Sequence, residues 1–191
     1  FILTASAALA TSGLGLAGCT TTPPKSGSGT AENTDKRRSI NAGVDSTLAR
    51  LYSTANGSRE LVSKARGVLV FPSVIQAGFW IGGQYGEGAL RVGGQTAGYY
   101  STVGGSFGLQ IGAQSKAIIF LFMTQDALDR FRNSDGWAVG ADATVAVVKV
   151  GANGNIDTST ATAPVQAFVL TNAGLMAGVS LEGTKVTRLR I

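Results

Sequence analysis

The sequence predicts an α+β fold that is mainly β: a curved or barrel-like antiparallel sheet, an N-terminal helical pair and one short inserted helix. Three observations predict it. Beyond residue 67 the apolar residues fall into short runs of strand formers. The connections between those runs are too short for the crossover helices of a parallel sheet. Glycine, 27 of 191 residues, recurs inside the runs, where it permits bulges, tight bends and close approach of another backbone or ring. Gly82, Gly83, Gly86, Gly88, Gly104, Gly105 and Gly108 are read in this way, as sheet geometry.

The elements follow in order. From Asp35 to Ala55, Ile40, Val44, Leu48, Leu51 and Tyr52 recur at helical spacing, and Asn56-Gly57 ends the helix. Ser58 is the expected N-cap of a second short helix, "RELVSKAR", closed by Gly67. Strands are expected at 68–72, 78–92, 97–114 and 116–124, the last ("KAIIFLFMT") a strong buried strand. A helix over 125–134 has Thr124 as its cap, with Leu128 and Phe131 turned inward. Strands at 143–150, 165–171, 174–181 and 185–191 complete the body, with hairpin-type turns at Asn153-Gly154 and Glu182-Gly183. Trp80, Tyr99, Tyr100 and Trp137 are expected mostly in the core or on a sheet face, with a bilayer interface as the alternative.

Cys19 is the only cysteine. It follows an uncharged apolar run, Phe1–Gly18, and precedes the Thr/Pro/Ser/Gly-rich stretch "TTTPPKSGSGTAENT". A core cysteine belongs in a periodic apolar pattern, which is missing here. A catalytic cysteine needs a base, and the chain has no histidine. The remaining reading is processing: residues 1–18 as a signal peptide truncated at its start, and 19–34 as a lipidated Cys with a flexible tether. Leu-Ala-Gly-Cys resembles the lipobox of bacterial lipoproteins. That resemblance implies acylation of Cys19 and a place in the cell envelope. Thr20 in the next position implies the outer membrane.

Composition narrows the function. Hydrophobic residues make up 44% and charged residues 14%, as in a chain with a real core. Net charge is +5, which favours anionic surfaces without marking a nucleic-acid binder. Ser106 lies in a G-x-S-x-G spacing, but a nucleophile elbow needs a following helix and a histidine partner, so no catalytic residue is assigned. "GEGALR" places Arg91 where a dinucleotide loop needs its third glycine. No metal-ligand spacing and no cofactor motif are present.

Of the 16 Lys and Arg residues, eight fall between Lys25 and Arg66, against four acids. Lys36, Arg37, Arg38, Arg50, Arg59, Lys64 and Arg66, with Arg188 and Arg190 on one face of the last strand, are the candidate contacts to anionic lipid. Arg38 and Arg50 project about 120° apart on an ideal helix, so they form no clean stripe, and Arg37 lies near the apolar face.

Five blocks carry a wider resemblance: "SKARGVLVFPSV" (63–74), "GGQYGEGAL" (82–90), "GGSFGLQIGAQ" (104–114), "IIFLFMTQDALDRF" (118–131) and "GLMAGVSLEGTKV" (174–186). In this order they resemble the SYLF domain family, over roughly Asn33 to Ile191, with the domain itself placed at 35–191. The resemblance implies binding of anionic membrane lipids, with phosphatidic acid or phosphoinositide-like headgroups, through a basic N-terminal segment. Actin binding, known in that family, is not expected in an envelope compartment. The alternative is an envelope scaffold or interaction module for a protein or glycan partner, its lipid affinity incidental.

Overall fold

A computed structural model describes residues 28–108, 114–157, 159, 162–176 and 178–191. Helices α1 (Ser28–Thr54) and α2 (Ser58–Lys64) come first. Strands β1 (Gly67–Val92), β2 (Gln95–Gly108) and β3 (Gln114–Phe122) lead into helix α3 (Gln125–Asn133). Short strands β4 (Trp137–Ala138) and β5 (Ala146–Val147) then precede β6 (Val165–Thr171), β7 (Gly174–Leu175) and β8 (Lys185–Leu189). They form one sheet in the order β4-β8-β2-β1-β3-β6-β5, with β7 on β6. The expected fold class holds: a mainly β, curled half-barrel with three helices among the described residues.

The expected runs 68–72 and 78–92 join into a single strand, β1. Its pairing keeps nearly one register along its whole length: Val92 opposes Gln95, Trp80 opposes Gly108, Gln76 opposes Gln114, and Gly67 opposes Phe122. One long antiparallel ribbon results, closed by Gly93-Gly94. Both glycines have positive φ (60° and 80°), which a two-residue hairpin loop demands and other residues resist. The ribbon bends at its glycine-rich middle until the arms of β1 touch. A Cβ on Gly88 would sit 2.0 Å from the Val70 carbonyl oxygen, and one on Gly86 would sit 2.8 Å from Val74.

Alternation along the strands builds a core on each face. Ile118, Phe120 and Phe122 of β3 join Leu69, Phe71, Leu90, Tyr100 and Val186 in an inner core, which Leu128 and Phe131 of α3 and Trp137 complete. The rings of Phe122 and Phe131 stack at 4.7 Å. Ala117, Ile119 and Leu121 face the other way and pack with Val68, Val70 and Phe168 under Ile40, Val44 and Leu51 of α1. The continuous apolar run of β3 thus reflects burial on both faces. Gly43 lets α1 approach closely, its Cβ position 2.9 Å from the Pro72 ring. Every described buried residue of the core lies between Ile40 and Val186.

Several expectations are corrected. α1 starts at Ser28 instead of Asp35, so part of the expected tether is helical. Extending an existing helix is far easier than nucleating one, and the Thr34 hydroxyl donates to the Thr30 carbonyl oxygen at 2.8 Å. The strand expected at 143–150 shortens to β5 because Val150 turns into the Gly151–Gly154 loop and bridges Ile156. That β5 pairs with β6 in parallel, the one departure from antiparallel order among the described ladders. The strand expected at 174–181 stops at Leu175, and Gly178 beyond it takes a positive φ of 74°. β4, which was not expected, pairs with β8 beside the inner core.

Candidate functional site

Helix α1 crosses the outer face of the sheet, and polar contacts fix it there. Lys36 pairs with Glu87 at 2.7 Å. Tyr85 donates to the same carboxylate at 2.8 Å. Burial works to raise the Glu87 carboxyl, but the hydrogen bonds from Lys36 and Tyr85 and the Lys36 charge outweigh it and hold the group below the usual carboxylate range. Arg37 donates to the Ile191 oxygen and lies over the Tyr99 ring at 5.9 Å. Asn41 donates to the Tyr99 hydroxyl at 2.8 Å, and Arg91 reaches Asp45 at 3.0 Å.

Two of the predicted cations, Lys36 and Arg37, therefore hold α1 to the sheet. Arg38 pairs with Asp35 at 3.1 Å in full solvent. The rest of the helical-layer set gathers around α2. Arg59 stacks on Tyr52, 4.3 Å from the ring centroid; burial raises the Tyr52 phenol and the Arg59 charge offsets part of that. Lys64 pairs with Glu60 at 2.8 Å along α2, which lowers the Glu60 carboxyl. Arg66 is exposed on the link to β1, its backbone N–H bonded to the Phe122 carbonyl oxygen. Arg50 is exposed near the end of α1, its side chain without a partner among the described residues.

Arg188 is placed elsewhere. It is the cross-strand partner of Tyr100, donates to the Tyr100 hydroxyl at 3.1 Å and so sits at the margin of the inner core face. Arg190 follows it beyond β8 and is exposed. The structure thus places Arg50, Arg59 and Lys64 on the two helices and Arg66 on the link that follows, and sets Arg188 apart beside Tyr100. Cys19 and the expected leader and tether up to residue 27 lie outside the described residues.

Of the four aromatic residues singled out, Tyr100 and Trp137 are buried in the inner core and Tyr99 is half-buried under α1. The Trp80 side chain lies outside the described ones. The Ser106 backbone sits within β2 opposite Gly82, with no strand-to-helix turn.

One feature was missed in the sequence. Ile75, Tyr85 and Val103 are 55%, 50% and 42% exposed, and Tyr85 and Val103 are direct cross-strand partners. Ile75 and Tyr85 line a groove of about 380 Å³ between α1 and the bent ribbon, with Ser39, Ile40, Gly43 and Pro72. The uncharged sequence from Ser73 to Gly86 was the available signal, but its alternation reads equally well as a buried strand.

Among the described residues, no helix is long and apolar enough to cross a membrane. A family model described as Ysc84, Las17-binding protein actin regulator, matches residues 103–190, from the middle of β2 through β8. It covers the last three of the five resembling blocks; the first two precede it. No curated protein matches the chain.

Proposed function

Residues 103–190 belong to the SYLF (Ysc84) domain family, and from that premise we propose that the chain is a lipid-anchored protein of the bacterial cell envelope whose domain docks on anionic phospholipid. The observation that carries the reading is the end of the helical layer, where Arg50, Arg59, Lys64 and Arg66 outnumber the acids Glu60 and, across a shared groove, Asp157. A cationic surface of this kind gains about 1 kcal/mol for each basic residue close to anionic headgroups. Phosphatidic acid and phosphoinositide-like headgroups carry the matching charge. Acylated Cys19 supplies the anchor: one chain holds weakly and two hold stably. The tether then keeps the domain at high effective concentration beside the headgroups, so modest affinity per contact suffices. The reading is non-enzymatic and needs no cofactor or nucleic acid.

Co-sedimentation of residues 28–191 with vesicles tests it. Binding is expected to phosphatidylcholine vesicles containing phosphatidic acid, to fall with added salt, and to drop at least about tenfold in the R50A/R59A/K64A/R66A variant. Binding indifferent to lipid charge overturns it. A second reading follows from the family description, which names a protein-binding actin regulator: the domain is an envelope interaction module for a protein or glycan partner. That reading gains if the same four substitutions leave vesicle binding unchanged.

A further inference from the structure

Where the link between α1 and α2 meets the loop before β6, the molecule has a cavity of about 350 Å³. One wall is the link and α2, with Asn56, Glu60, Leu61 and Lys64; the other is the loop, with Asn155, Ile156 and Asp157. Backbone bonds join the walls. The Asn56 N–H donates to the Gly154 carbonyl oxygen at 3.0 Å, and the Ile156 N–H donates to the Asn56 carbonyl oxygen at 3.3 Å. A cavity fixed in this way exists before anything binds, which lowers the ordering cost of an occupant.

Gln166 of β6 forms the floor. Val165 and Ala167 on either side of it belong to the inner core, so Gln166 points to the outer face, where Leu61 and Ile156 pack. The residue is fully buried. Its Nε2 donates to the Ala163 carbonyl oxygen at 3.3 Å, but its Oε1 has no hydrogen-bond partner among the described residues. A buried acceptor in that state has lost water without a replacement, and native structures seldom leave it so.

The lining selects what fills the place. Gln166 Oε1 requires a donor. The carboxylates of Glu60 and Asp157 outnumber the one cation of the lining, Lys64, which disfavours a phosphate or a carboxylate. Both carboxylates already have donors, Glu60 from Lys64 at 2.8 Å and Asp157 from the Ser159 N–H at 2.9 Å, so neither is left to balance an incoming ammonium. The side-chain amides of Asn56 and Asn155 donate and accept, and Leu61 and Ile156 add an apolar patch. A neutral ring with hydroxyls along its edge and C–H bonds on its face meets all of these demands.

We propose that this cavity is a saccharide subsite. A sugar hydroxyl or acetamido N–H donates to Gln166 Oε1, Asn56 and Asn155 bond neighbouring hydroxyls, and Leu61 and Ile156 cover the C–H face of the ring. The inference does not rest on lipid docking; it gives the interaction-module reading a place where a glycan partner would bind.

The test is an amide shift titration of the full chain, backbone and side chain, with glucose, galactose, mannose and N-acetylglucosamine. Ethanolamine and glycerol 3-phosphate serve as the cationic and anionic comparisons. At least one sugar is expected to give saturable shifts at the Gln166 side-chain amide and the Asn56, Leu61 and Ile156 backbone amides, with the two charged probes leaving these unmoved. Gln166→Met removes the acceptor at nearly constant volume and is expected to weaken that sugar about tenfold. Urea unfolding checks that this variant keeps its fold. Asn155→Ala, on the exposed wall, is expected to weaken it severalfold.

Cavity amides that no sugar moves overturn the proposal, as does a stronger response to ethanolamine or glycerol 3-phosphate. Sugar shifts that survive both substitutions unchanged also overturn it, because the sugar then binds elsewhere. Gln166→Met leaves all four cations of the docking surface in place, so its vesicle binding is expected to match the parent chain. Failure of the sugar titration therefore leaves lipid docking standing, and failure of vesicle binding leaves the saccharide subsite standing.

Discussion

Replacing Gly88 with alanine tests the bent ribbon on which the fold depends. The added Cβ would lie 2.0 Å from the Val70 carbonyl oxygen, 2.8 Å from the Val70 carbonyl carbon and 2.7 Å from the Phe71 ring. Two of these neighbours are backbone atoms of the other arm of β1, and Phe71 is fully buried. No side-chain rotation relieves the clash, so the arms must separate. Overpacking of this kind costs about 1–3 kcal/mol, and contact with backbone puts Gly88→Ala at the upper end or beyond. For a domain of this size, about 3 kcal/mol lowers Tm by roughly 6–12 °C. Gly105→Ala is the matched control, because nothing among the described residues lies within 4 Å of its Cβ position and its φ is not left-handed. Alanine there is neutral or stabilising by roughly 0.5–1 kcal/mol, since glycine loses more chain entropy in a strand. Urea unfolding of residues 28–191, read by fluorescence and circular dichroism with fitted m values, measures both. Equal midpoints for the two variants would refute the claim that the arms of β1 pack on each other.

Further predictions follow from single contacts. Thr124→Ala removes the hydroxyl that accepts from Ala127 N–H at 3.2 Å, and urea unfolding is expected to show a loss of about 1 kcal/mol. Glu87→Gln is expected to destabilise at neutral pH. Because the folded carboxyl is held low, its contribution is present above the ordinary carboxylate range near pH 4.3 and disappears as pH falls through the lower folded value; Tm difference against pH reads this directly. Lys116, half-buried, has its ammonium pushed down by burial. Lys116→Met is therefore expected to stabilise at neutral pH, with an advantage that fades as pH rises from the lowered folded value towards the ordinary lysine range near 10.4.

How far the sequence reveals this molecule depends on the range of each interaction. The burial of β3, the Thr124 cap and the inward Leu128 and Phe131 were legible because the local apolar pattern and capping encode them. The merger of two expected strands into β1 was not, because continuity through Ser73–Ala77 depends on pairing with residues far along the chain. β5 and β7 shrank where turn geometry overrode β propensity. At the candidate site, the type of residue was readable and its placement was not. Lys36 and Arg37 look like free cations until Glu87 and Ile191 are brought to them across the fold. Arg188 separates from the helical cations because its strand presents it beside Tyr100.

The central claim is that the helical layer meets anionic lipid through its α2 end. An amide shift map of residues 28–191 on nanodiscs containing phosphatidic acid tests it most directly. The account predicts changes concentrated between Arg50 and Arg66, weakened by salt and absent on pure phosphatidylcholine discs. Changes centred instead on α3, around Arg130 and Arg132, or no changes on the anionic discs, would contradict it.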